Sequence, residues 1–368
     1  MVRRETHETI ESASPALDVH TPIREAEDLP IFSFRLLSEA FASQSSKSFV
    51  VQVGRAIAEF GVASISLDGA SFTGVVPEVA AAILGSPALA EASLLIFSQH
   101  ELLHQHYREV PNHGAEDGFY SFHLNHMGGD VRSNAVDGIH KGLPRSLIWN
   151  HDRSSPVIQE IEGAQSLLAS AERLTEEVAN LVVEALVVYF DDRAGLLREL
   201  VGAPHRANHL KTILSPGATS SDALVVDSST SLVCRHRAHV DHSVLTIYPA
   251  SLPQIGEAGR FYYLAKSGGR RCWRPLVAQP NHFVVFGGVD LETFTGGTSF
   301  EIAGLPHQVL ATRDEALRNR HSALFRMVVN PDARTLCTLD GRSFSFHGTE
   351  TPTGKEYYQA LAAHRKGY

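Results

Sequence analysis

The segment Arg237–Tyr248, RAHVDHSVLTIY, places an imidazole and a carboxylate two residues apart, at His239 and Asp241. On an extended strand, positions i and i+2 project to the same face, so both side chains can reach one metal ion. A third ligand must come from elsewhere in the chain, and His307, in GLPHQVLATRD, is the candidate. Two imidazoles and one carboxylate on one octahedral face leave three positions open, a donor set suited to ferrous iron and oxygen chemistry. An H-x-D triplet alone carries little weight in a chain with 20 His and 41 Asp plus Glu. Its surroundings add to it: a Gly-rich stretch follows, then His307 ahead of an apolar run, then Arg320 and Ser322 opening another at Ala323–Val329. Arg320 and Ser322 share a face by the same period, and a guanidinium fork beside a hydroxyl is suited to gripping a carboxylate.

With these residues in view, the stretch CWRPLVAQPNHFVVFGGVDLETFTGGTSFEIAGLPHQV, Cys272–Val309, resembles the C-terminal half of the isopenicillin N synthase-like Fe(II)/2-oxoglutarate-dependent dioxygenases. The common order is Trp, a Pro-containing strand, an apolar strand ending in a Gly turn, the distal His and R-x-S. Close matching runs from about Asn208 to Pro331, and a looser match covers Leu29–Gly69. The resemblance implies that His239, Asp241 and His307 bind Fe(II). It also implies that Arg320 and Ser322 hold the distal carboxylate of 2-oxoglutarate, with O2 as the co-reactant. Thr246 matches a Thr common in the family and is expected to support strand packing. Two departures stand out. Ile213 and Ser215, before Pro216, stand where the family has the Asn and Tyr of N-x-Y, and the gap from His307 to Arg320 is longer. His236 and His242 flank the metal strand as structural neighbours. His242 projects away from His239 and Asp241, as His321 does from Arg320 and Ser322.

The elements that must position these groups follow in chain order. LPIFSF (29–34) reads as a short strand. Val50, Val53, Ile57 and Phe60 recur at helical spacing up to Gly61, and VASISL (62–67) reads as a strand. Pro77–Gln105 reads as two helices broken around Gly85-Ser86-Pro87. Leu174, Val178, Leu181, Val182, Ala185, Leu186 and Tyr189 form one stripe on a long helix, and a short helix, Arg193–Leu200, stops at Gly202. Beyond it, LKTIL, ALVV, VLTIY, RFYYL, HFVVF, HQVL and ALFRMVV are short strands punctuated by Gly, Pro, Ser or Asp. The expected fold is mainly β with flanking helices: a double-stranded β-helix (jelly roll) core with an N-terminal helical cap and a C-terminal helix. Within one structural domain, residues 1–27 form a tail, 28–206 the cap with the first strands and a substrate-side loop, 207–340 the catalytic core, and 341–368 the C-terminal helix.

Tyr107–Asp152 lacks periodicity and is dense in Gly, Asn, His and Arg. So long an irregular stretch inside a compact domain is commonly functional. In the resembled family it leads into strands on the substrate side, which makes Phe119, Tyr120, Phe122, Asn125, Arg132 and Arg145 the candidate substrate contacts.

Composition bounds the rest. Net charge is −9 and there is no basic run, which argues against a nucleic-acid partner. Three scattered cysteines make neither a disulfide framework nor a zinc motif, and fit a reducing cytoplasm. No apolar run approaches a membrane span, and the first twenty residues lack the apolar stretch of a secretory signal. The reading is a cytoplasmic oxygenase that hydroxylates, desaturates or cyclises a small molecule of specialised metabolism. An oxidase of the same fold that uses no 2-oxoglutarate, and a non-catalytic metal-binding barrel, remain as alternatives.

Overall fold

The computed structural model describes residues 23–25, 29–43, 47–70, 122–124, 145–149, 164–202, 208–215, 217, 231–249, 259–267, 270–277 and 281–367. The chain opens with β1 (Ile31–Ser33), and Ser33 then caps helix α1 (Phe34–Ser43), its hydroxyl accepting from Leu36 N at 3.3 Å. Helix α2 (Lys47–Phe60) buries Val50, Val53 and Ile57 of the expected stripe but leaves Phe60 exposed, and it ends at Gly61, whose φ of 79° is the left-handed conformation glycine adopts freely. Strand β2 (Val62–Ser66) follows. After β3 (Phe122–Leu124) and β4 (Arg145–Trp149) comes the long α3 (Ala164–Phe190), then α4 (Leu196–Val201). Asp192 starts α4, its carboxylate accepting from Leu196 N and Leu197 N.

Among the described residues the strands that follow are β5 (His209–Ser215), β6 (Val233–His239), β7 (Leu245–Pro249), β8 (Arg260–Ser267), β9 (Arg270–Pro275), β10 (His282–Gly287), β11 (His307–Ala311), β12 (Arg320–Met327), β13 (Ser345–Phe346) and β14 (Thr349–Glu350). Helices α5 (Val289–Thr295), α6 (Arg313–Ala316) and α7 (Gly354–Gly367) lie among and after them. An eight-stranded sheet runs β1-β2-β10-β7-β12-β5-β4-β3, and a four-stranded sheet runs β6-β11-β8-β9.

Alternation along the strands assigns the two faces of the large sheet. Leu245, Ile247, Phe283, Val285, Ala323, Phe325 and Met327 are buried in one core with Leu174, Val178, Val182 and Leu186 of α3. Their sheet neighbours Val284 and Phe286 turn the other way and pack with Phe261 and Tyr263 of β8. The two sheets therefore face each other, with one side of the large sheet covered by helices. Each fully buried Leu, Val or Phe contributes roughly 1.5–3 kcal/mol, so packing under this helical layer stabilises the large sheet. The central strand β10 is buried at all six positions, which accounts for its unbroken apolar run.

Several expectations change. The segment holding His239 and Asp241 is not one strand: β6 ends at His239, and Asp241 sits on the bend that crosses from the small sheet to β7 of the large one. The C-terminal part is a short hairpin (β13–β14) before the helix, because Ser345-Phe346 and Thr349-Glu350 alternate around His347 and Gly348 in left-handed turn conformations. Helix α1 was not legible as a helix, since its cap, Ser33, lies inside the LPIFSF strand signal. The 77–105 helices and the ALVV strand lie outside the described residues. No helix among the described residues is long and apolar enough to cross a membrane.

Candidate metal centre

His239, at the end of β6, and His307, at the start of β11, are direct cross-strand partners. Antiparallel pairing alone brings these two imidazoles together, with ring centroids 4.3 Å apart. Asp241 closes the set from the bend. Its Oδ1 lies 3.6 Å from His239 Nε2 and its Oδ2 lies 3.9 Å from His307 Nε2. One ligand atom from each residue falls within 4.8 Å of the other two.

The bend is held from three sides. The backbone oxygens of Asp241 and Ser243 accept from Val289 N (2.9 Å) and Asp290 N (3.2 Å), and Val244 O accepts from Gly288 N (3.2 Å). These amides open α5, so donors with no helical partner are spent on fixing the metal loop. A Cβ at Gly288 would fall inside van der Waals contact of the Asp241 and Ser243 oxygens, so only glycine lets α5 approach this closely. From the large sheet, Thr246 Oγ1 donates to Asp241 Oδ2 at 2.9 Å and touches Ser243 Oγ at 3.0 Å. Also from the large sheet, Arg326 of β12 contacts Asp241 Oδ1 through Nη2.

These surroundings set the protonation states. Burial raises the Asp241 carboxyl, and Arg326 foremost outweighs that and holds it well below the usual carboxylate range. His307 is pushed down to about 4, by burial first and then by His239. Its Nδ1 lies 3.0 Å from Leu305 O, which can only accept, so the proton sits on Nδ1 and the Nε2 lone pair faces Asp241. The ring stacks on Phe261 at 4.9 Å with an 18° tilt, and Phe286 lies 5.2 Å away. A buried anionic oxygen and a neutral imidazole with a fixed tautomer, joined by His239, fit a divalent transition metal such as Fe(II).

An aromatic wall leads from this centre to Arg320. Phe261 stacks on Tyr248 at 5.4 Å, and the Tyr248 hydroxyl lies 3.5 Å from Arg320 Nη2. Arg320 Nη1 donates to Ser322 Oγ at 3.2 Å, and both residues are buried. Arg320 thus has neutral hydroxyl partners and no ion pair among the described residues. Arg235 lies nearby, donating to the carbonyls of Glu315 (3.2 Å) and Arg318 (2.7 Å). Burial first, and then Arg320, push its pKa down to about 10. The buried Arg320, whose partners among the described residues are neutral, is suited to an anion, because an uncompensated buried charge costs several kcal/mol.

The structure brings together His239, Asp241 and His307, and separately Arg320 and Ser322. Ile213 and Ser215 pair in register with Ser322 and Arg320, which is where N-x-Y was expected. Phe122 lies on β3, and Arg145 lies on β4 with its backbone opposite Leu214 of β5. Phe119, Tyr120, Asn125 and Arg132 lie outside the described residues. His236 is a ring neighbour of His239 at 4.5 Å, and His242 lies against Phe346 and His347. Thr246, expected only to pack, touches the ligand carboxylate. Arg326 and Tyr248 were missed, although Arg326 shares the even spacing of Arg320 and Ser322 along one strand.

No protein-family model matches the chain, and no curated protein matches it by sequence. Solved structures do match it. A 2OG-Fe(II) oxygenase family protein from Caulobacter crescentus superposes with a TM-score of 0.60 at 16% identity, over 92% of this chain and 99% of that one. Full-length T7H from Neurospora crassa in complex with alpha-KG gives 0.59 at 15%, over 91% and 96%. The dioxygenase for auxin oxidation 1 from Arabidopsis thaliana, bound to 2-oxoglutarate, gives 0.52 at 11%, over 82% and 93%. The chain has the fold of the 2-oxoglutarate/Fe(II) oxygenases.

Proposed function

We propose that this protein is a non-haem Fe(II)- and 2-oxoglutarate-dependent oxygenase acting on a small organic molecule, its two facing sheets forming a double-stranded β-helix. The observation that carries the reading is the pairing of two sites on one wall. A two-His, one-Asp cluster lies at one end, and a buried Arg with neutral partners lies at the other, joined through Phe261 and Tyr248. A cosubstrate with a chelating 2-oxo acid end and a distal carboxylate matches both ends. Similar structures were solved with 2-oxoglutarate, one of them also with Fe and JA, and T7H with thymine, which supports this cosubstrate and a small-molecule substrate.

Ferrous iron and 2-oxoglutarate, when bound, supply the oxygen activation. The chain's own contribution is positional. His307 presents Nε2 because Leu305 O holds its Nδ1 proton. Asp241 is aimed by Thr246 and by the α5 amide that holds its backbone oxygen. Arg320 and Ser322 would receive the distal carboxylate by charge-assisted hydrogen bonds. Tyr248 supplies from β7 the phenol that Ser215 does not supply from β5. Phe261 and Phe286 keep water from the back of His307.

The loss of N-x-Y at Ile213 and Ser215 favours a second reading, an oxidase whose substrate carboxylate takes the Arg320 site. One experiment separates them. Under nitrogen, Fe(II)-loaded protein is titrated with 2-oxoglutarate and followed by the visible metal-to-ligand charge-transfer absorption, and oxygen is then admitted and succinate quantified. Absorption and succinate are expected. A protein that binds Fe(II) yet gives neither is not a 2-oxoglutarate enzyme.

A further inference from the structure

Arg326 has no part in holding the cosubstrate, yet it is a cation set against a ligand of the metal. Along β12, Ala323, Phe325 and Met327 are buried against the helical layer, so Arg320, Ser322, Leu324 and Arg326 share the opposite face. A residue needed only for packing there would be apolar, as Leu324 is. The guanidinium is also incompletely used. Of its five N–H donors, Nη2 goes to Asp241, and Nε is buried with no hydrogen-bond partner among the described residues. The side chain keeps 18% of its surface exposed, so it is not sealed off from an incoming ligand. Asp241 does not depend on Arg326 alone for its aim, since Thr246 already holds the other oxygen.

We infer that Arg326 is a specificity-determining residue that selects a substrate bearing a carboxylate and seats that group beside Asp241. The inference rests on the functional reading above, and its charge balance is simple. Asp241 carries −1, and Arg320 and Arg326 carry +1 each. A divalent metal adds +2, and 2-oxoglutarate removes two, leaving +1. Arg235 stays outside this sum because the Glu315 carboxylate lies close enough to offset its charge. A single uncompensated positive charge between the sheets favours a monoanionic substrate over a neutral one. Oδ1 of Asp241, the oxygen Arg326 touches, is also the one nearer His239. A divalent metal held by Asp241 would weaken the guanidinium's hold on that carboxylate and leave its donors for another anion. The planar fork then matches a carboxylate in two parallel bonds, which a lysine cannot reproduce.

The test uses Fe(II)-loaded protein with 2-oxoglutarate under nitrogen, so that binding is read without turnover. Phenylacetate and octanoate are titrated in parallel with phenylacetamide and octanamide, following the shift of the charge-transfer absorption. At least one acid is expected to bind tenfold or more tighter than its amide, which corresponds to about 1.4 kcal/mol. In Arg326→Met the absorption still forms and the acid–amide preference falls to about twofold or less, while Arg326→Lys keeps part of it. Acids and amides binding wild type alike would overturn the inference, as would a preference that survives in Arg326→Met. Loss of the absorption in Arg326→Met and Arg326→Lys would make Arg326 a support for Asp241 and overturn it too. If wild type gives no absorption at all, the functional reading fails first and takes this one with it.

Discussion

Thr246 on β7 donates a hydrogen bond to Oδ2 of Asp241 at 2.9 Å, joining the large sheet to a candidate metal-binding carboxylate that follows a strand of the small one. Groups that orient a ligand from behind commonly contribute ten- to hundredfold to metal affinity. Thr246→Val is isosteric and leaves Oδ2 without this donor. It should weaken Mn(II) or Fe(II) binding by about tenfold or more, while Thr246→Ser retains most of it. Isothermal titration with Mn(II) measures this, and an unchanged affinity in the valine variant would remove Thr246 from the metal site.

Replacing any of His239, Asp241 or His307 with Ala should abolish stoichiometric metal binding with the melting temperature largely kept. The three sit between the sheets, not in the main helical core. Asp241→Ala differs from the other two because it also strands Arg326, so it should be the least stable of the three. His242→Ala is the control: it lies against Phe346 and His347, and should bind metal as wild type does. A His242 variant as damaged as His239→Ala would mean that the bend holds its ligands differently.

How far the sequence led depends on whether a relationship is periodic. Strand alternation and helical stripes are local, so β10, β12, α2 and α3 were readable from spacing alone, and His307 could be chosen because an apolar strand follows it. The error at Asp241 came from the same rule. Treating 237–248 as one strand put His239 and Asp241 on one face by pleat, whereas the chain leaves the strand after His239 and the α5 amides fix the bend. That clamp joins residues over forty positions apart, and a sequence holds no local mark of it beyond Gly288. Tyr248 and Arg326 were missed for a related reason. Each matters through a partner on another strand, and strand order across two sheets is not written in spacing.

Asp290 gives the fold a pH dependence of its own. It is buried in the first turn of α5, accepts from the Tyr357 hydroxyl of α7 at 2.8 Å, and leaves Oδ2 buried with no hydrogen-bond partner among the described residues. Burial raises its pKa from 3.8 to about 7, the Tyr357 hydrogen bond opposing in part. The folded state therefore keeps a proton that the unfolded chain releases above 3.8. The stability from this group is full below that value, falls as pH rises and levels off above about 7. Asp290→Asn keeps an acceptor for Tyr357 and has nothing to ionise. It should match wild type near pH 4 and exceed it at pH 8 by roughly 2–4 kcal/mol. Urea unfolding at the two pH values decides this, and a variant equally destabilised at both would show that Asp290 is needed as a carboxylate.

The Arg320 site makes the most discriminating prediction about the cosubstrate. Arg320 is buried, its partners Ser322 and Tyr248 are neutral hydroxyls, and Arg235 beside it is occupied by carbonyls. A carboxylate arriving there gains a charge-assisted pair of roughly 1.5–3 kcal/mol. Removing the guanidinium also leaves that carboxylate unpaired between the sheets, at a similar further cost. Arg320→Ala should therefore raise KM for 2-oxoglutarate by about 100-fold or more, with metal binding kept. Arg320→Lys should recover part of this, since a point charge lacks the fork. Tyr248→Phe removes one neutral donor and should cost about fivefold, or roughly 1 kcal/mol. It keeps the ring that stacks on Phe261, so a larger loss would mean that Tyr248 also aims Arg320. Succinate release across a 2-oxoglutarate series measures all four proteins. If substrate oxidation by wild type proceeds fully without 2-oxoglutarate, Arg320 holds the substrate's own carboxylate and the protein is an oxidase.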